Sequence, residues 1–138
     1  MNVPHKPKIN YETLQAFIAN LFVATNVATP FVWNETAIKR ALVTLMQENA
    51  VLRPFGPPML SNPQVEGGPE DNRAPYHAIF TWFRGDCLDV VDGRRDTVKL
   101  NDTCLRVAQE GRPRLDEAVR AAITKLGPEF YRRSQFPA

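Results

Sequence analysis

Apolar residues recur at three- and four-residue steps from residue 11 to about residue 25, where Leu14, Phe17, Ile18, Leu21 and Phe22 share one face of a 3.6-residue helix. A first helix is predicted there, entered from Asn10. A second is predicted over 35–49, with Ile38, Ala41, Leu42, Leu45 and Met46 as its apolar face and Lys39, Gln47 and Glu48 largely opposite. Asn34 stands at its start, able to offer a side-chain oxygen to the unpaired amides, and Glu35 suits the positive end of the helix. The two apolar stripes let these helices pair as an antiparallel hairpin. Between them, residues 26–33 carry Pro30 and read as a connection that buries Phe31 and Trp33 as plugs.

The periodicity stops at Arg53. From there to Pro75 the chain holds Pro54, Pro57, Pro58, Pro63, Pro69 and Pro75 with Gly56, Gly67 and Gly68, which predicts a long loop without regular structure. Residues 76–83 are ambiguous. Their aromatic and β-branched side chains favour a strand, with Arg84-Gly85 as a hairpin tip leading into a second strand over 87–91. Pro75 at a first helical turn and Gly85 beyond a last one would equally punctuate a helix. The strand is the preferred expectation. Asp92-Gly93 marks another turn, followed by a short strand over 97–100. Asp102 is expected to cap a short helix that Gly111 stops, and a last helix is expected over 115–126, with Leu115, Ala118, Val119, Ala122, Ile123 and Leu126 inward and Gly127-Pro128 as its end.

These elements describe an α+β fold: an N-terminal helical hairpin, a small central antiparallel β-meander and C-terminal helices. An all-α bundle is the alternative if 76–83 is helical. The chain divides into an extended arm over 1–9, one globular domain over 10–133 with the proline-rich loop at 53–75, and a tail over 134–138. With 138 residues, 43% hydrophobic and 23% charged, the composition fits a single folded domain and not a disordered or fibrous chain.

Net charge is +2, too small to draw the whole protein to nucleic acid or an acidic membrane. The distribution is uneven: residues 94–138 hold ten basic and six acidic side chains, whereas Asp86, Asp89 and Asp92 make the middle locally negative. The two cysteines, Cys87 and Cys104, form no Cys-x-x-Cys and no larger framework, so they are expected to be unlinked core thiols in a reducing compartment. No signal-peptide pattern opens the chain and no stretch approaches the roughly 18 apolar residues of a membrane span. A cytoplasmic location follows as the expectation. Asn34 and Asn101 lie in glycosylation sequons but read better as helix caps.

Candidate chemistry is sparse. His77 would stand opposite Asp92 if Arg84-Gly85 formed the hairpin tip, a carboxylate–imidazole pair of the kind a small hydrolase uses. No serine lies near it in sequence, so a surface His–Asp pair at the sheet edge is the preferred expectation for the two residues. Cysteine and histidine spacings match no closed zinc pattern, and Gly67-Gly68-Pro69 lacks the Gly-Lys-Ser/Thr of a phosphate loop. No cofactor, metal or small-molecule substrate is predicted.

The sequence therefore favours a non-catalytic interaction, assembly or adaptor protein. Its partner is expected to be another protein or a second copy. Phe55, Met59 and Leu60 in the loop, with Trp33 and Phe136, are the expected anchors, because aromatic and apolar residues in proline-rich and terminal segments exceed what paired helices need. A nucleic-acid binder using Arg94, Arg95, Arg112, Arg114, Arg132 and Arg133 is the alternative.

Overall fold

Three asparagines start three helices. Asn10, Asn34 and Asn101 all have extended backbones, and each side-chain Oδ1 accepts from the amide three residues on: Thr13 at 2.9 Å, Ala37 at 3.1 Å and Cys104 at 3.0 Å. An amide oxygen at this position satisfies one of the donors that a helix start leaves unpaired. The cap of the fourth helix is thus Asn101, and Asp102 is the first residue inside it.

The computed structural model describes residues 9–25, 30–56, 75–91 and 93–135. Along the chain these form α1 (Tyr11–Ala24), β1 (Phe31–Val32), α2 (Glu35–Glu48), a 3₁₀ turn at Arg53–Phe55, α3 (Pro75–Trp82) running into a π-helical turn at Phe83–Cys87, β2 (Leu88–Val91), β3 (Arg94–Leu100), α4 (Asp102–Gly111), a 3₁₀ turn at Arg112–Arg114, and α5 (Glu117–Gln135). The fold is α+β, with one antiparallel sheet of order β1-β3-β2. Gly93 takes a φ of 73° in the β2–β3 turn, a left-handed conformation that costs glycine little.

The predicted apolar face of α1 understates its burial. Ala16 and Ala19 are buried along with Leu14, Phe17, Ile18, Leu21 and Phe22, so α1 is enclosed on most sides. It lies against α4 and α5, and α5 also packs on α2. Close approach depends on glycine: a Cβ on Gly111 would stand 2.5 Å from the Cβ of Ala16, and one on Gly127 would stand 2.6 Å from the carbonyl oxygen of Ala24. Asn20 reinforces the first contact, donating from Nδ2 to the carbonyls of Ala16 (2.7 Å) and Ala108 (3.0 Å).

Two expectations fail for tertiary reasons. Residues 76–83 are not a strand: Ile79, Phe80 and Phe83 are all fully buried while Thr81 is exposed, a helical spacing that a strand could not present to one core. The β2–β3 pair remains, and its third strand comes instead from Phe31–Val32, in the segment expected to be a connection with Phe31 and Trp33 as plugs, which pairs with β3. The last helix does not stop at Gly127-Pro128 but continues to Gln135, into the segment assigned to a tail. An internal proline costs about 3 kcal/mol. Full burial of Phe130, worth about 1.5–3 kcal/mol, and its edge contact with Phe22, about 0.5–1.5 kcal/mol more, offset that cost.

Phe55 is 5% exposed and stacks on Phe17 with centroids 4.4 Å apart. Phe55→Ala is therefore expected to destabilise the protein by about 3–5 kcal/mol in urea denaturation. Gly111→Ala, which forces α4 off α1, is expected to cost about 1–3 kcal/mol in the same measurement.

Candidate functional site

Of the anchors expected from the sequence, the two that lie among the described residues, Phe55 and Trp33, are buried. Phe55 is core, and Trp33, 6% exposed, packs its ring near those of Phe22 and Phe83, both at 5.9 Å, and Phe80 at 6.3 Å. Both are corrected from partner anchors to structural residues, because the aromatic core needs their area. Met59, Leu60 and Phe136 lie outside the described residues.

The arginines also separate. Arg94 and Arg95 lie in β3, and Arg112 and Arg114 at the turn before α5. Arg132 and Arg133 are at the far end of α5, more than about 20 Å along a helix that rises 1.5 Å per residue. Arg114 pairs with Glu12. Arg132 and Arg133 each donate from Nε to Glu129 at 2.9 Å, and Arg133 also reaches Glu48 on α2 at 3.5 Å. Hydrogen bonds from Arg132 and then Arg133 hold the Glu129 carboxyl down to about 2. The cluster expected to converge on one phosphate-binding surface is thus divided, and part of it is neutralised.

Arg112 and Arg120 share a cleft of about 160 Å³ with Asn20, Val23, Ala24, Ile123 and Thr124. The cleft is bounded by the second half of α1, by Arg112 at the C-terminal cap of α4 and by the first half of α5. The hydroxyl of Thr124 is turned back to the Arg120 carbonyl at 3.1 Å. Among the described residues no group of three His, Cys, Asp or Glu side chains is placed to hold a metal. His77 falls in α3, so the strand register that would have set it opposite Asp92 does not exist. Cys87 and Cys104 are buried and unlinked, and the hydrogen bond between their side chains, followed by burial, pushes the Cys87 thiol up. Such thiols are poor nucleophiles.

The sheet edges carry the contrast that matters. On β1, the amide of Gln135 closes the outer edge: Nε2 donates to the Val32 carbonyl at 2.8 Å, and Oε1 accepts from the Val32 amide at 3.0 Å. On β2, the Asn101 amide donates to the Cys87 carbonyl at 3.0 Å, and the register pairs Leu88 with Leu100, Asp89 with Lys99 and Val90 with Val98. Antiparallel alternation then turns the Asp89 peptide toward β3 and those of Leu88 and Val90 outward. Among the described residues nothing pairs with that outer edge.

Val90 lies on the same sheet face as buried Val98, the face turned to the core, yet it is 58% exposed. The helical layer ends before it. Asp86 and Asp89, both exposed, precede it along the chain, and Asn101 bridges the Asp86 backbone to the Asp89 carboxylate, its Nδ2 donating to the Asp86 carbonyl at 3.0 Å and to Asp89 Oδ1 at 3.2 Å. Burial raises the pKa of the Tyr11 phenol, with the charge of Asp86 adding to the shift. The sequence missed this site because alternation shows Val90 facing inward but not that the strand is an edge.

The chain matches no protein-family model, no curated protein and no solved structure.

Glu129 supplies a pH test. Its folded pKa lies below the ordinary 4.5, so the stabilisation is present above about 4.5 and is lost as pH falls toward about 2. A ¹³C titration of its carboxyl should give a midpoint near 2, moving up in Arg132→Gln. For the thiols, iodoacetamide at pH 8 followed by intact-mass analysis should leave Cys87 and Cys104 unmodified in the native protein and label both after denaturation.

Proposed function

We propose that this protein is a non-catalytic interaction module, and that its partner is another protein, engaged along the outer edge of β2. One observation carries the reading: an inner-face valine, Val90, left 58% exposed beside peptide groups directed outward, on the edge opposite the one that Gln135 closes. An open edge is a template for strand addition, where main-chain hydrogen bonds supply affinity and alternate side chains supply selectivity. The separation of the arginines weighs against the nucleic-acid alternative. Two unlinked cysteines support a reducing, cytoplasmic setting, and among the described residues no helix is long and apolar enough to cross a membrane.

Two substitutions test the edge. Val90→Pro removes an amide that faces away from β3, so the internal ladder keeps its bonds. Val90→Lys places a charge of the kind that protects natural edge strands. Proteins retained from the native lysate by immobilised wild type are expected to be lost with both variants at unchanged melting temperature, and the Leu88 and Val90 amides should exchange more slowly in the complex. Equal retention by the variants, or unaltered exchange, would refute the reading.

A further inference from the structure

We infer that the segment this edge accepts is an extended strand in which a lysine or arginine is flanked on both sides by aliphatic residues. This rests on the β2-edge reading and adds the partner's chemistry. A docked strand bonds to the outward peptide groups of Leu88 and Val90, which fixes where its side chains go. Its residue opposite Asp89 shares the outer face of the sheet with that carboxylate, and its two neighbours share the inner face with Leu88 and Val90. Parallel and antiparallel docking give the same alternation.

The inner face here is apolar. Leu88 and Val98 are buried, Leu100 is partly buried, and Val90 extends that surface past the last helix cover. Aliphatic side chains of a docked strand would continue it. On the outer face Asp89 is exposed at the rim, held by Asn101 through one oxygen at 3.2 Å, and exposed Asp86 lies at the near end of the strand. Lys99 stands across from Asp89 on the β3 side, away from the open edge, and forms no ion pair with it. A cation arriving from the open side meets the carboxylate directly.

The length of the match is limited as well. The π-helical turn ends at Cys87, and a register irregularity falls between Val90 and Val91, so the regular part of the edge is three residues long. The recognised unit is therefore short, apolar–basic–apolar.

A second copy of this chain fits poorly. The two-fold register that uses both outward peptide groups centres on Asp89 and sets it directly against its own counterpart, a like-charge pair in the closest kind of cross-strand position. The charge that excludes the chain itself selects a basic partner strand.

The test uses capped octapeptides with Val-Lys-Val, Val-Gln-Val or Val-Glu-Val at the centre and polar flanks, titrated by fluorescence anisotropy into the full chain. The lysine peptide should bind tightest and exceed the glutamate peptide by roughly three- to tenfold, with glutamine between. Asp89→Asn, which keeps an acceptor for Asn101, should erase the ranking, and 0.5 M NaCl should compress it. Binding that is lost in Val90→Lys but shows no charge order, or an order that survives Asp89→Asn, overturns the partner chemistry and leaves the edge reading standing. Failure of all three peptides to bind, or binding indifferent to Val90→Lys and Val90→Pro, overturns both. A Val90-dependent dimer in sedimentation would also overturn the inference, by making the occupant a second copy.

Discussion

Phe22 has four aromatic neighbours drawn from three separate parts of the chain: Phe83 of the π-helical turn at 4.6 Å, Phe130 of α5 at 5.3 Å, and, from the β1 segment, Phe31 at 5.8 Å and Trp33 at 5.9 Å. Each pair is worth only about 0.5–1.5 kcal/mol beyond the area it buries. Their joint effect is positional, because one ring fixes where the sheet, the turn and the last helix meet α1. The small side chains of the same helix do the converse. At Ala16 and Ala24 it admits Gly111 and Gly127, so α4 and α5 come close enough to enclose it. Sheet cover is set by this arrangement: β1 and β3 lie under the aromatic node through Phe31 and Val98, while β2, at the far side of β3, extends past it.

What the sequence made legible is what local chemistry decides. The helix starts at Asn34 and Asn101 depend on a side-chain oxygen three residues from the amide that donates to it, and the turn at Gly93 depends on one backbone conformation. The apolar face predicted for α2 is the face that is buried, since Ile38, Ala41, Leu42, Leu45 and Met46 point to one core. The α+β class followed from these elements together.

The remainder was decided by contacts distant in sequence. Tyr76 to Phe83 has strand composition, but a core that takes Ile79 and Phe80 side by side requires a helix there. Pro128 reads locally as a stop, and only the burial of Phe130 and Ser134 beyond it carries α5 onward. Phe55 and Trp33 look like spare aromatics until Phe17 and Phe22 are set beside them. The candidate site was hidden for the same reason: nothing in Leu88-Asp89-Val90 says that β3 is its only strand neighbour among the described residues.

The two edges of this sheet are managed by different means, and the difference bears on selectivity. Fixing the Gln135 side chain against Val32 costs rotamer entropy of about 1.5–2 kcal/mol, and its two hydrogen bonds return a similar amount, so closure of β1 is nearly neutral in stability. What it provides is exclusion of any added strand, whatever its sequence. On β2, under the strand-addition reading proposed above, the protection is conditional. A register irregularity after Val90 limits the length of the match, and Asp89 penalises an acidic strand or the chain's own copy while leaving a basic one unopposed. Selectivity of this kind needs the repulsive element as much as the attractive one, and in the proposed reading a single carboxylate on a short open edge supplies both.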